Sequence, residues 1–120
     1  MDKRRILVVD DDAAVRSVTQ EMLDRLGFEV TTAASGESAL EQASHQSFDL
    51  VLLDLAMPTM SGVEVYSSLR ERDASARVIF MTGYSREDLG DLLTDDARTA
   101  VLSKPFPLQE LKSSVESMLT

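Results

Sequence analysis

Short runs of apolar residues alternate along the chain with longer segments in which apolar residues recur every three or four positions. Unbroken apolar runs occupy residues 6–9, 50–53 and 78–81, and two weaker ones cover residues 28–33 and 99–103. Such runs are typical of strands that are covered on both faces in a parallel sheet. The sequence therefore predicts five short strands.

The segments between these runs have the spacing of amphipathic helices. In the first, Val15, Val18, Met22 and Leu26 are three or four residues apart, and Gly27 follows as a left-handed stop. A surface helix of about four turns is predicted there. Four further helices are predicted: a second from Ser35 and Gly36 through Leu40 and Ala43, a third marked by Val63, Tyr66 and Leu69, a fourth by Leu89, Leu92 and Leu93, and a fifth by Leu108, Leu111, Val115 and Met118.

Strict alternation of strand and helix predicts an α/β fold of the doubly wound (βα)5 type, with a parallel five-stranded sheet between two helical layers. Residues 1–120 are predicted to form a single domain, because the length suits one domain and no linker or repeat interrupts the pattern. Ligands of such folds bind at the carboxyl ends of the strands, near the topological switch point. Candidate chemistry is therefore expected where each strand ends.

Polar residues follow four of the predicted strands. Asp10 and Asp11 come after the first strand, Asp54 after the third, Thr82 after the fourth and Lys104 after the fifth. Clustered carboxylates repel one another, and a divalent cation such as Mg²⁺, which often shares its ligand shell with a phosphate, resolves the repulsion. Asp54 is then the candidate nucleophile that forms an acyl phosphate, while Thr82 and Lys104 hold the other phosphoryl oxygens.

These residues lie in motifs that resemble the receiver domains of two-component response regulators. The resemblance covers essentially the whole chain and rests on four motifs in order: Ile6-Leu7-Val8-Val9-Asp10-Asp11; Asp49-Leu50-Val51-Leu52-Leu53-Asp54 followed by Met57-Pro58 and Gly62; Met81-Thr82-Gly83; and Lys104-Pro105-Phe106. It implies a flavodoxin-like three-layer sandwich with strand order 2-1-3-4-5. It also implies a phosphoacceptor in a two-component phosphorelay that turns over no substrate of its own.

The resemblance also implies the role of each site residue. Asp54 would be the phosphoacceptor, Asp11 would bind Mg²⁺ directly, Asp10 would help through water, and the backbone carbonyl of Ala56 would complete the protein ligands. The phosphoryl oxygens would contact Thr82 and Lys104. All of these positions in the chain match the family pattern.

Around Lys104 the chain both follows the family pattern and departs from it. The Lys104-Pro105 peptide would be cis, and Gly83 would leave room for the phosphoryl group. Three residues before Lys104, where the family commonly has a rotating Tyr or Phe, this chain has Val101. The usual coupling between Thr82 and an aromatic side chain is therefore not expected.

The resemblance identifies the classes of partner. A histidine kinase or a histidine phosphotransfer domain would donate the phosphoryl group, which would shift a two-state surface formed by the fourth helix, fifth strand and fifth helix. A homodimer, or a kinase on the same chain as in a hybrid sensor kinase, is a further alternative. The absence of a linker at Thr120 and the departure at Val101 favour an excised or relay-type module.

The composition excludes several other classes of function. A net charge of −9 argues against direct binding of nucleic acid, and no apolar run approaches the roughly 18 residues of a membrane span. The chain has no Cys, so it contains neither a disulfide nor a thiolate metal site. A cytoplasmic location is predicted.

Three alternatives remain to be compared with the receiver interpretation. A flavodoxin-like cofactor binder needs a phosphate loop after the first strand, where this chain has aspartates that would repel anions. A haloacid-dehalogenase-type, Mg²⁺-dependent phosphatase would need a second carboxylate two residues after Asp54, where Ala56 stands. A pseudo-receiver that binds partners without phosphorylation is the third alternative.

Asp12 is interpreted separately, as a cap of the first helix or an outer group of the site.

Overall fold

Five parallel strands form one sheet in a computed structural model of the chain, which describes residues 3–83 and 98–119. The strands are β1 (Arg5–Val9), β2 (Glu29–Ala33), β3 (Leu50–Asp54), β4 (Val78–Thr82) and β5 (Thr99–Ser103). Their order across the sheet is β2-β1-β3-β4-β5. The predicted strands and the predicted order 2-1-3-4-5 are therefore confirmed.

Four helices lie in the described residues: α1 (Ala13–Arg25), α2 (Gly36–His45), α3 (Gly62–Arg72) and α4 (Leu108–Leu119). They correspond to the first, second, third and fifth helices that the sequence predicts. The predicted helix around Leu89, Leu92 and Leu93 lies outside the described residues. Within the described part of the chain, no helix has both the length and the apolar character needed to cross a bilayer.

Local signals in the sequence define the ends of the first helix. The carboxylate of Asp12 accepts hydrogen bonds from the backbone N–H of Ala14 at 2.9 Å and of Val15 at 3.3 Å, so Asp12 is the N-cap of α1. After the last turn, Gly27 has a φ of 93°, a left-handed conformation that favours glycine. The predicted stop at Gly27 is confirmed, and of the two interpretations of Asp12 the structure shows the helix cap.

The sheet is covered on both faces, and this is why its strands appear as unbroken apolar runs. Successive side chains of a strand point to opposite faces. On one face the strands pack against α1 and α4 through a cluster of buried residues: Ile6, Val8, Leu23, Leu50, Leu52, Ile79, Met81, Leu102, Leu111, Val115 and Met118. On the other face they pack against α2 and α3 through a second cluster: Leu7, Val9, Ala33, Ala39, Val51, Leu53, Met57, Val65, Leu69, Val78 and Phe80.

The apolar stripe of α1 is only partly buried against the sheet. Thr19 and Leu23 are the buried residues of this helix, whereas Val18 is 52% exposed. The spacing of apolar residues predicted the helix correctly but did not show which of its residues are most buried. The outer part of the stripe instead lines a groove beside Pro105 and Phe106.

Truncating Leu23 should therefore destabilise the protein far more than truncating Val18. Leu23→Ala removes a fully buried side chain and should lower the free energy of unfolding by about 2–5 kcal/mol. Val18→Ala should change it by less than about 0.5 kcal/mol, because the side chain is half exposed. Urea denaturation followed by circular dichroism measures both values. Equal losses for the two variants would contradict the orientation of α1.

Candidate functional site

Three carboxylates meet at the carboxyl ends of β1 and β3. Asp10 and Asp11 directly follow β1, and Asp54 is the last residue of the neighbouring strand β3. One carboxylate oxygen from each lies within 4.8 Å of the others. Asp10 and Asp54 are buried, with 0% and 5% exposure, while Asp11 is exposed. The predicted acidic cluster therefore exists in the structure and is open to solvent on the side of Asp11.

Lys104 brings a positive charge to this cluster. Its Nζ donates a hydrogen bond to Asp10 Oδ2 at 2.7 Å and lies 3.4 Å from Asp54 Oδ1. The residue directly follows β5, and its backbone N–H donates to the carbonyl of Thr82 at 2.7 Å. The Lys104-Pro105 peptide is cis, as the resemblance implied. In the sheet, β5 lies two strands away from β3. The Lys104 side chain therefore extends from the end of β5 to the ends of β1 and β3.

Asp10 is held by more groups than the sequence indicates. Besides the bond to Lys104, its Oδ1 accepts a hydrogen bond from the backbone N–H of Asp12 at 2.9 Å. Its carbonyl accepts one from Nη1 of Arg16 at 2.8 Å. Sequence reasoning missed both the Lys104 pair and Arg16. The one available signal for Arg16 was a long donor near the start of a helix, since helical side chains lean toward the N-terminus.

Burial and charge act in opposite directions on Asp54 and Lys104. Burial raises the pKa of Asp54, and the nearby Asp10 raises it further, although the backbone N–H of Ala56 and the charge of Lys104 oppose the rise. For Lys104, burial lowers the pKa, but its hydrogen bond to Asp10 and the charge of Asp54 outweigh burial and leave the pKa raised. The lysine therefore stays protonated and only partly relieves the repulsion between the carboxylates.

The donor set fits a hard divalent cation. All three clustered side chains offer carboxylate oxygens, and Mg²⁺ prefers oxygen ligands, with some positions left for water or phosphate. The exposure of Asp11 leaves an approach from solvent. A cation here would offset the like charges that Lys104 alone does not neutralise. The residues present therefore suit Mg²⁺.

A glycine at the start of α3 holds the backbone after Asp54. A Cβ atom built on Gly62 would lie 2.5 Å from the carbonyl oxygen of Asp54 and 2.8 Å from Cα of Leu55. The N–H of Gly62 donates to the carbonyl of Leu55 at 3.2 Å. Just beyond, the N–H of Ala56 donates to Asp54 Oδ1 at 3.2 Å. Only glycine allows the start of α3 to lie this close to the backbone of Asp54 and Leu55. This close packing helps to fix both Asp54 and the loop that carries Ala56.

Of the remaining predicted residues, Thr82 lies at the same edge of the sheet and Val101 lies in the middle of β5. Thr82 is the last residue of β4 and is 2% exposed; the residue before it, Met81, is the register partner of Asp54. Val101 is half-buried on β5 and pairs in register with Phe80.

Comparison with known proteins identifies this arrangement. A family model described as response regulator receiver domain matches residues 6–116. The response regulator receiver protein CpdR of Brucella abortus is 34% identical over 116 residues, which are 97% of each chain. The sporulation initiation phosphotransferase F of Bacillus subtilis is 32% identical over 119 residues, covering 99% of this chain and 96% of that protein.

Solved structures show the same fold. The response regulator TrrA of Thermotoga maritima, solved in complex with Mg²⁺ and BeF, is 39% identical and has a TM-score of 0.84; the match covers 97% of this chain and 99% of that chain. A structure of TrrA in complex with the histidine kinase ThkA matches with 38% identity and the same TM-score of 0.84, over 98% of this chain and 99% of that chain. The flavodoxin-like fold implied by the sequence is confirmed.

Replacing Asp54 with Asn should raise the melting temperature of the protein at about pH 7 in the absence of divalent metal. Because the folded chain raises the pKa of Asp54 above its usual value of 3.8, the folded state binds this proton more tightly than the unfolded chain does. Tighter proton binding stabilises the folded state at low pH, and this stabilisation is lost as the pH rises from 3.8 through the folded-state pKa. The asparagine of the variant has no proton to lose, so the stability of the variant does not fall in this range.

Thermal denaturation followed by circular dichroism, from about pH 7 down to about pH 3, measures this effect. The advantage of Asp54→Asn should shrink at the acid end, where Asp54 is protonated in both states. Asp24→Asn makes the same charge change at an exposed position of α1 and serves as the control. An Asp54→Asn variant that melts no higher than this control would contradict the electrostatic description of the cluster.

Proposed function

The chain belongs to the receiver domain family of two-component response regulators, and from this membership we propose that Asp54 is its phosphoacceptor. The observation that carries the proposal is the meeting of three carboxylates with Lys104, whose Nζ lies 2.7 Å from Asp10 and 3.4 Å from Asp54. Receiver domains act in phosphorelays rather than as independent enzymes. The phosphatase alternative lacks its second carboxylate, since Ala56 stands at that position.

The proposed reaction is transfer of a phosphoryl group from a donor histidine to Asp54. A carboxylate oxygen of Asp54 attacks phosphorus, the bond between phosphorus and the histidine nitrogen breaks, and an acyl phosphate forms. The Lys104 ammonium offsets negative charge on the transferred group, and the Thr82 hydroxyl is assigned to one of its oxygens. Asp10, Asp11, Asp54 and the carbonyl of Ala56 would hold Mg²⁺. When bound, this ion neutralises charge on the phosphoryl oxygens.

A histidine kinase or a histidine phosphotransfer domain is the proposed donor. A groove of about 430 Å³ lies between α1 and the segment after β5, and its lining includes Lys104 together with the apolar side chains of Val15, Val18, Pro105 and Phe106. A donor helix lying in this groove would bring its histidine to the end of the sheet that carries Asp54. The related TrrA forms a complex with the histidine kinase ThkA, which supports this class of partner.

Other features of the sequence interpretation stay predictions. These are the single-domain organisation of residues 1–120, the cytoplasmic location, a homodimer or a kinase on the same chain as partner, and the altered coupling at Val101. The described residues hold the intact acidic cluster that phosphorylation needs. This favours a phosphorylatable receiver over a pseudo-receiver.

Acetyl phosphate should phosphorylate the wild-type chain only when Mg²⁺ is present. Intact mass analysis with peptide mapping should find one phosphoryl group, on Asp54. Asp54→Asn should abolish the modification, whereas Asp11→Asn should mainly raise the Mg²⁺ concentration required, because it removes a ligand and leaves the nucleophile in place.

Asp12→Asn is the matched control for these variants. It removes one negative charge from the neighbouring position but keeps the helix cap, because Asn and Asp are equally good N-caps. It should be phosphorylated at close to the wild-type Mg²⁺ concentration. Modification of Asp54→Asn at the wild-type level would overturn the assignment of the phosphoacceptor.

A charged side chain in the groove should slow phosphorylation by a histidine kinase without affecting phosphorylation by acetyl phosphate. Val18→Glu places a carboxylate in the apolar groove and should slow transfer from an autophosphorylated histidine kinase by about ten-fold or more. Phosphorylation by acetyl phosphate should be unchanged, since this small donor needs no groove. The kinase used is the one in a purified panel that phosphorylates the wild-type chain fastest.

The control for this variant is Ser67→Glu, which adds the same charge at an exposed position of α3 in the opposite helical layer. It should leave both rates unchanged. If Val18→Glu accepts the phosphoryl group from the kinase as fast as Ser67→Glu does, the donor docks elsewhere.

A further inference from the structure

Arg16 forms hydrogen bonds with both ends of the segment from Asp10 to Asp12. Its Nη1 donates to the carbonyl of Asp10 at 2.8 Å, and its backbone N–H donates to the carbonyl of Asp12 at 2.9 Å. The side chain is half-buried. In addition, the N–H of Asp12 donates to Asp10 Oδ1 at 2.9 Å. Three hydrogen bonds thus enclose Asp11, and two of them come from Arg16.

These bonds determine where the Asp11 carboxylate lies. The carbonyl of Asp10 and the N–H of Asp11 belong to the same planar peptide group, so holding the carbonyl fixes the orientation of that plane. Asp11 itself is exposed. Its carboxylate nevertheless has an oxygen within 4.8 Å of oxygens of Asp10 and Asp54. The backbone around Asp11 therefore contributes to this placement, beside the hydrogen bond between the Asp11 and Asp54 side chains.

Arg16 differs from Lys104 in the atom that it contacts. Lys104 donates to a carboxylate oxygen of Asp10, which is also a candidate ligand atom. Arg16 donates to a backbone carbonyl and occupies no carboxylate oxygen of the cluster. It can therefore stay in place whether or not a cation is bound. Groups that orient metal ligands without binding the metal typically change metal affinity by about 10–100-fold when they are removed.

We propose that Arg16 is a positioning residue, which holds the Asp10-Asp11 peptide and thereby sets the affinity of the site for Mg²⁺. This inference rests on the proposed function, because it assumes that Asp11 binds the ion. It assigns Arg16 no contact with the phosphoryl group. Its removal should therefore weaken the binding of Mg²⁺ without lowering the rate of phosphorylation once Mg²⁺ is saturating.

The test compares Arg16→Met with Arg25→Met. Both variants remove a guanidinium from α1, but Arg25 is exposed and its side chain pairs with Glu21 at 2.8 Å on the same helix. Isothermal titration calorimetry with Mg²⁺ alone should give a dissociation constant about ten-fold weaker for Arg16→Met and unchanged for Arg25→Met. Thermal denaturation in EDTA shows separately whether each variant is folded.

The dependence of acetyl phosphate labelling on Mg²⁺ provides a second measurement. For Arg16→Met the half-saturating Mg²⁺ concentration should rise about ten-fold, while the maximal rate should equal that of the wild type. A purely structural role would instead lower the maximal labelled fraction and leave the half-saturating concentration unchanged. That result would overturn the proposal.

Arg16→Lys keeps the test decisive if Arg16→Met does not fold. A lysine can donate one hydrogen bond to the Asp10 carbonyl but has a shorter reach, so its Mg²⁺ affinity should lie between those of the wild type and Arg16→Met. Affinity for Mg²⁺ equal to that of Arg25→Met in every folded Arg16 variant would overturn the positioning role alone. A wild-type chain that neither binds Mg²⁺ nor is labelled would overturn the proposed function as well.

Discussion

Buried carboxylates repel one another, and this sheet brings two of them, Asp10 and Asp54, to the ends of neighbouring strands where neither can turn fully to solvent. Lys104 is the counter-charge that makes the arrangement tolerable, at 2.7 Å from one and 3.4 Å from the other. One lysine cannot neutralise the whole cluster, so the site keeps an excess of negative charge. That excess of negative charge is what suits the cluster to a divalent cation.

The architecture around this charge cluster keeps its members in place. β1 and β3 lie at the centre of the sheet and are buried on both faces, so the residues that follow them have little freedom. The close approach of Gly62 holds the backbone of Asp54 from the α3 side. Arg16 and the cap residue Asp12 hold the backbone on the α1 side. The cost of gathering like charges is therefore offset by Lys104 together with the packing that holds the cluster in place.

The surface next to the site suits a relay. The groove beside α1 is mostly apolar, and Lys104 is one of its lining residues. Exposed apolar side chains such as Val18 cost little stability when they are isolated, but together with Pro105 and Phe106 they offer area for a partner. The proposed docking groove and the acidic cluster are thus adjacent, and Lys104 belongs to both, since it lines the groove and contacts Asp10 and Asp54.

The sequence by itself determined the alternation of strands and helices, the stop at Gly27 and the identity of the residues at the strand ends. These are local signals, because apolar runs, helical spacing and turn residues are readable within a few positions. Only the tertiary structure decided that Lys104 contacts Asp10, 94 residues away, that Arg16 holds the Asp10 carbonyl, and that Val18 is half exposed while Thr19 and Leu23 are buried. Such contacts depend on how separate elements pack, and the spacing of residues along one helix or strand carries no information about the neighbour against which it will lie.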